Sequence, residues 1–437
     1  MKHGFVFLFL YCNLLFLPQL NAQDTAFIRA QIDTLCSTHF QGRGYVNDGV
    51  NKAADYLAEQ FSIAGLQPFG ADGYFQHFTF SINTFPGKMT LKYRLKKAKP
   101  GIHYLYDAYS PKVQNAKRKT KVLNLDHIAS EADWYAFVKT LNDKRKAYVL
   151  NGVDSMQKRL SWRPRQVAAS LPEGLFVFPK KSKPLWWPGT AVNAASVIYW
   201  FDTTVSLQNH RRIKLNADQE FIPEMKCKNV IGMVPGALTD SYIVFTAHYD
   251  HLGMMGKETM FPGASDNASG TAMILSLAQY FATHPSRYTI VFMAFAGEEA
   301  GLIGSDYFVK NPLFDLKGIR FLINIDIMGD AENGISVVNG VMHEQEYELL
   351  KSLNPVVSVQ ENDTIFQFKE IRKGEGAANS DHYHFSEAGV PSFFLFSIGG
   401  KGYYHDIWDK PEHLSLKNIA GVRQLVIDFV KKISQED

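Results

Sequence analysis

Hydrophobic positions change their period along this chain. After residue 23, Ile28, Ile32 and Leu35, then Ala53, Ala54, Leu57, Phe61 and Ile63, recur at helical spacing. Between them lies His39-Phe40-Gln41-Gly42-Arg43-Gly44, too rich in glycine to continue a helix. From about Thr84 to Asn216 the texture becomes short β-branched or aromatic runs separated by Pro, Lys and Asn turns. Ala147-Tyr148-Val149-Leu150, Leu175-Phe176-Val177-Phe178 and Ser196-Val197-Ile198-Tyr199-Trp200 are such runs, and they predict a small β-rich inserted domain with one helix near 131–141. From about Cys227 the rhythm is strand, glycine-bearing loop, helix. It predicts strands over 230–234, 242–247, 289–296, 321–327, 335–338 and 392–396, with helices over 268–284, 299–310, 344–353 and 415–432. Fully apolar strands alternating with helices imply an α/β fold, doubly wound, with a largely parallel sheet and helices on both faces.

Composition sets the outer limits. With 437 residues, 46% hydrophobic, the chain exceeds one ordinary domain. The division expected is a signal peptide over 1–22, an N-terminal helical segment over 23–83 packing on the main domain, a β-rich insert over 84–216, and the main α/β domain over 217–437. Lys2 and His3, the apolar run from Phe5 to Leu17, Pro18 and the closing Asn21-Ala22-Gln23 have the order of a cleavable signal peptide. That places the protein outside the cytoplasm, secreted or periplasmic. The apolar run is shorter than the ~20 residues of a spanning helix, so no stable membrane insertion is expected after cleavage. The net charge of +3, with no basic run carrying interleaved aromatics, argues against a nucleic-acid partner. Cys36 and Cys227 remain after signal removal, expected as free or buried thiols. Neither sits in Cys-x-x-Cys spacing, so any metal must be held by histidines and carboxylates.

Those residues gather where predicted strands end. The 242–247 strand runs into His248-Tyr249-Asp250-His251, and the 289–296 strand into Gly297-Glu298-Glu299-Ala300-Gly301. Asp326 lies near the end of the 321–327 strand, and the last strand leads through Gly399-Gly400-Lys401-Gly402 to Tyr403-Tyr404-His405-Asp406. In open α/β sheets ligands bind beyond the carboxyl ends of the strands. Carboxylates so clustered repel one another without a cation, and imidazole with carboxylate and no thiolate suits zinc in an open site. Five ligands with one shared carboxylate meet the needs of two ions ~3.5–4 Å apart. The tight loop Gly263-Ala264-Ser265-Asp266-Asn267-Ala268-Ser269-Gly270 supplies the shared group, Asp266, and Asp250 is the carboxylate expected to orient the His248 ring.

The order His-x-Asp, Gly-Ala-x-Asp-Asn-x-Ser-Gly, Gly-Glu-Glu-x-Gly, Asn-x-Asp and Tyr-His resembles the M28 family of co-catalytic zinc peptidases, over about residues 218–434. The Gln41-Gly42-Arg43 loop also resembles the N-terminal segment of many bacterial members. The resemblance implies two zinc ions per chain, one on His248 and Asp326, the other on Glu299 and His405, with Asp266 bridging. It implies Glu298 as the general base for a metal-bridged water, and Tyr404 as a hydrogen-bond donor to the tetrahedral oxyanion. It relates the 84–216 insert to the protease-associated domain of some members, though the insert shows no diagnostic match. Two departures stand out. Relatives often follow the last histidine with Thr-Pro and an Asp, where this chain has Asp406-Ile407-Trp408-Asp409. Ser380-Asp381-His382 resembles a family motif near the substrate pocket, and reads equally as a helix cap followed by exposed histidines.

The reading implied is a secreted metallo-exopeptidase, an aminopeptidase acting on peptides. A glutaminyl cyclase-type acyltransferase is the alternative from another reaction class. It is disfavoured by Tyr404, since those relatives commonly have Trp before the last histidine. A carboxypeptidase or dipeptidase would need a cation such as Arg372 or Lys373 to reach the substrate carboxylate. A non-catalytic, receptor-like member would have shed ligands, and all five are present. Oligomeric state is not encoded in these patterns.

Overall fold

The structure is a computed structural model that describes residues 24–354 and 368–435. The expected signal peptide lies outside the described residues. The larger of two main sheets has nine strands. Its centre is four parallel strands in the spatial order Tyr288–Phe295, Leu238–His248, Ile319–Ile325 and Ser392–Ser397. Every residue of Tyr288–Phe295 is buried, as a strand covered on both faces requires. Alternation along Leu238–His248 divides its side chains between two cores. Ile243, Phe245 and Ala247 join the cluster built with the helices Gly49–Ile63, Gly270–Thr283 and Ile419–Ile433. Tyr242 and Val244 face the other cluster, with Phe308 of Ile303–Lys310 and Phe385 of His382–Glu387. The fold is therefore α/β with helices on both faces.

The sheet is mixed: Ile371–Lys373 at one edge pairs parallel with Ile335–Val338, but the other pairings outside the centre are antiparallel. Glu220–Val234 runs antiparallel to Tyr288–Phe295, and Ile335–Val338 antiparallel to Ser392–Ser397. Three helices also begin later than periodicity predicts, the 415–432 helix at Ile419 and two others at the site. The 268–284 helix starts at Gly270, because Ala264–Ser269 is a wider turn in which Asp266 and Asn267 leave helical geometry. The 299–310 helix starts at Ile303, because Gly297 and Leu302, both at positive φ, hold the intervening residues as a turn. Both of these displaced starts carry acidic residues of the site.

Residues 89–217 contain a second, eight-stranded sheet with its own apolar cluster. Val113–Asn124, Lys146–Asn151, Gly174–Pro179 and Ala195–Trp200 are parallel neighbours, so this part is itself α/β in character. One helix was expected there and three are present: Glu131–Val138, Val153–Leu160 and Pro164–Ser170. The first is fixed by a capping box between Ser130 and Asp133. The other two have eight and seven residues, too few to repeat a helical period visibly. No helix among the described residues is long and apolar enough to cross a membrane.

Candidate metal centre

His248 is the last residue of Leu238–His248, and Asp326 follows Ile319–Ile325 directly. Glu298 and Glu299 lie in the turn beyond Tyr288–Phe295, and His405 in the loop beyond Ser392–Ser397. Parallel strands bring all these carboxyl ends to one edge of the sheet. Asp266 arrives from the Ala264–Ser269 turn and completes the group.

The geometry divides the cluster about Asp266. Its Oδ1 lies 3.2 Å from His248 Nε2, which is also 3.2 Å from Asp326 Oδ1. Its Oδ2 lies 3.1 Å from His405 Nε2, which is 3.0 Å from Glu299 Oε2. One carboxylate thus offers a separate oxygen to each histidine–carboxylate pair. Zinc holding N and O ligands tetrahedrally at about 2.0–2.2 Å spaces them roughly 3.3–3.6 Å apart, close to these separations. Asp266 Oδ2, Glu299 Oε1 and both ring nitrogens of His405 are buried and make no well-directed hydrogen bond, the condition a cation relieves. The donor set therefore fits zinc.

The charges show the same need. Burial disfavours the His405 imidazolium, but the Glu299 charge and the close approach of Asp266 and Glu299 as acceptors outweigh it and raise the pKa to about 10. Burial likewise opposes the charged form of His248, and Asp326 and Glu298 overcome it. Asp266 is held well below the ordinary carboxylate range: burial pushes upward, and hydrogen bonds from His248 and His405 prevail. Glu298 goes the other way. Burial raises its pKa well above the ordinary value, and Glu299, Asp326 and Asp381 add to the rise against His248. It is also the most exposed carboxylate of the cluster, with its side chain 13% accessible and Oε2 3.9 Å from His248 Nε2.

Supporting contacts differ in part from expectation. His248 Nδ1 faces the backbone carbonyl of Asp250 at 3.1 Å, while the nearer carboxylate oxygen of Asp250 is 3.7 Å away. That carboxylate mainly accepts from Tyr45 Oη at 2.8 Å and from the Glu298 and Glu299 N–H groups at 3.2 and 3.3 Å. It therefore holds the glutamate turn more than the His248 ring. Ser380 is buried and makes no helix cap: its hydroxyl donates to Asp326 Oδ2 at 2.8 Å. It accepts from Asn324 Nδ2, whose Oδ1 accepts from Thr246, so three elements fix one carboxylate. Asp381 and His382 beside it are buried as well. The Tyr404 ring stacks on the His405 ring at 3.9 Å. Burial and the charges of Asp266, Glu299, Glu298 and Asp326 raise its phenol pKa, keeping it a donor. Arg372 is paired with Glu370, and Lys373 with Glu344 and Glu348.

Three participants escaped the sequence reading. His251 Nδ1 lies 2.6 Å from Glu299 Oε1, and His251, Asp266 and Glu299 have ligand atoms close enough to share an ion. The same holds for His248, Glu298 and Asp326. The spacing His248-Tyr249-Asp250-His251 was the available signal. Asp409 accepts from the backbone N–H groups of Ser265 and Asp266, which ties the His405 loop to the bridging turn. Arg43, fully buried, donates to the carbonyls of Tyr249, Pro262 and Gly263 at 2.7–2.8 Å. Gly263 allows close packing there: a Cβ would fall 2.4 Å from the His251 ring, and φ is +63°.

Comparison with known proteins places this arrangement. The sequence profile of peptidase family M28 matches residues 229–430. The aminopeptidase YwaD of Bacillus subtilis is 30% identical over 209 residues, covering 46% of this chain and 43% of that protein. A probable leucine aminopeptidase of Arthroderma otae is 25% identical over 232 residues, covering 49% and 59%. The chain thus spans about half the length of these curated relatives. Among solved structures, a zinc aminopeptidase from Bacillus subtilis superposes with TM-score 0.66 at 19% identity, covering 94% of this chain and 95% of that one. An aminopeptidase from Aneurinibacillus sp. strain AM-1 gives 0.61 at 17% identity, covering 94% of each. At such identities the structures show a shared fold. Profile, strand-end order and divided carboxylate agree, and residues 229–430 belong to peptidase family M28.

Proposed function

We propose that this protein is a zinc-dependent aminopeptidase that removes amino-terminal residues from peptides. The observation that carries this reading is the Asp266 carboxylate, split between two buried histidine–carboxylate pairs, of which the His405–Glu299 pair keeps polar atoms without a well-directed hydrogen bond. His248 with Asp326 would hold one zinc ion and His405 with Glu299 the other, with Asp266 common to both and His251 beside the second. Zinc bound there supplies Lewis-acid polarisation of a scissile carbonyl and acidifies water. Glu298, free of strong pairing and with its pKa raised by burial, takes the proton from the attacking water and passes it to the leaving amine. Tyr404, held protonated, donates a hydrogen bond to the carbonyl oxygen as charge develops on it.

The curated relatives' names support aminopeptidase over other exopeptidases. The carboxypeptidase reading loses its named cations, because Arg372 and Lys373 are already engaged by glutamates. The amino-terminal segment supports export, to be checked by fractionating cells and sequencing the mature amino terminus. The functional test is metal analysis together with a panel of aminoacyl arylamides, dipeptides and amino-terminal glutaminyl peptides. Hydrolysis of free-amine substrates is expected, and Glu298→Ala should lose about 100- to 10,000-fold in kcat with zinc retained. Ammonia release from glutaminyl peptides without hydrolysis would establish the cyclase instead.

A further inference from the structure

The second sheet reaches the metal centre through one aromatic side chain. Trp187 lies in the connection between Gly174–Pro179 and Ala195–Trp200, yet its ring is 5.1 Å from that of His405 in an edge-to-face arrangement. It is 47% exposed, whereas its neighbour Trp186 is buried. The connection is fastened on both sides of the exposed ring. Trp186 stacks on Phe261 at 5.2 Å and donates from Nε1 to the Tyr106 carbonyl at 2.8 Å. Lys183 Nζ lies 2.6 Å from Asp406 Oδ1, so the segment is bound to the residue after His405. Beyond the ring, the Gly189 carbonyl accepts from the Asn83 N–H at 2.6 Å. Pro184 and Pro188 stiffen the stretch between these ties. Tyr404, 40% exposed, covers the same imidazole by stacking. Two aromatic surfaces, from different sheets, are thus held open to solvent around one candidate ligand.

Large aromatic faces kept exposed and rigid beside a reactive centre mark a binding surface, since a free surface of that kind gains most by being covered. The substrate group nearest to it follows from the chemistry. The scissile carbonyl belongs to the amino-terminal residue, so that residue's side chain is the one brought within a few ångströms of the metal ligands. We propose that Trp187 is a specificity-determining residue, whose exposed face with Tyr404 receives an aromatic or large aliphatic side chain of the substrate's first residue. This rests on the aminopeptidase reading. It gives the second sheet a part in substrate choice.

The experiment uses the full-length, zinc-loaded enzyme and the variants Trp187→Ala and Trp187→Phe, with leucyl, phenylalanyl, alanyl and glycyl arylamides. In Trp187→Ala the leucine-to-glycine ratio of kcat/KM should fall about 10- to 100-fold, mostly through KM, and Trp187→Phe should recover much of it. Zinc content should match wild type in both, which separates loss of a wall from displacement of His405. Calorimetry with leucine and glycine hydroxamates provides a readout without turnover, in which the leucine compound alone should weaken in Trp187→Ala. An unchanged leucine-to-glycine ratio, or equal loss for both compounds, would overturn the assignment. If wild type hydrolysed no free-amine substrate, the aminopeptidase reading would fall. The hydroxamate comparison would still decide whether Trp187 selects the side chain.

Discussion

His405 is held near a pKa of about 10 because the surrounding carboxylates outweigh its burial, so in the metal-free protein at neutral pH it carries a proton. Zinc must displace that proton to reach the imidazole. The sign follows: with its pKa raised, the imidazolium is favoured at all lower pH, and metal affinity climbs as pH rises towards about 10. Between pH 6 and 8 the zinc dissociation constant should tighten by about tenfold per pH unit for each proton displaced, with proton release visible by calorimetry in buffers of different ionisation enthalpy. A pH-independent constant would contradict this. The two cysteines illustrate the opposite, inert case. Both are free and buried, and burial pushes the Cys36 thiol up to about 12 and Cys227 in the same direction. Neither should react with a thiol reagent in the native protein, and both should react in denaturant. The positions of His248, Asp266, Glu299, Asp326 and His405 in one cluster were legible, because each follows an apolar strand or leads into an apolar helix. His251 and Asp409 were not. Their partners, Glu299 and the Ser265–Asp266 backbone, are distant in sequence, and no periodicity reports such a contact.

Turns, more than helices, carry the acidic groups. Glu298 and Glu299 were expected at a helix start, but Gly297 and Leu302 at positive φ place them in a turn whose N–H groups are tied to Asp250. Asp266 likewise sits before its helix, in a turn held by Asp409 on one side and by Arg43 on the other. Periodicity locates where a helix repeats and not where its first turn gives way, so these starts were misplaced by two to four residues. The consequence is that loops fix the ligands through hydrogen bonds between elements. Ser380→Ala removes the hydroxyl that joins the turn before His382–Glu387 to Asp326, and Asp409→Asn weakens the tie between the His405 loop and the bridging turn. Each should weaken zinc retention against a competing chelator by about 10- to 100-fold while leaving the circular dichroism spectrum native. Unchanged retention in both would show that these contacts support the fold alone.

Two sheets with separate apolar clusters meet at the His405 loop, where Lys183 and Trp187 from one touch residues carried by the other. The doubly wound sheet was legible at this scale, because its strands are buried along their length and alternate with helices of fourteen and fifteen residues such as Gly270–Thr283 and Ile419–Ile433. The second sheet was legible only as strands. Its short helices bury few side chains, as Val153–Leu160 buries Val153, Met156 and Gln157, and leave little pattern to read. Its approach to the metal centre had no local signature. For the molecule as a whole, clustered carboxylates without a cation oppose folding, so chelation should lower the melting temperature and zinc should restore it. The most direct test is the zinc content of protein purified without chelator, compared with that of Asp266→Asn. About two zinc ions per wild-type chain, falling to one or fewer when the shared carboxylate is lost, is the predicted result. A wild-type chain holding a single ion or none, or an Asp266→Asn chain that keeps both, would contradict it.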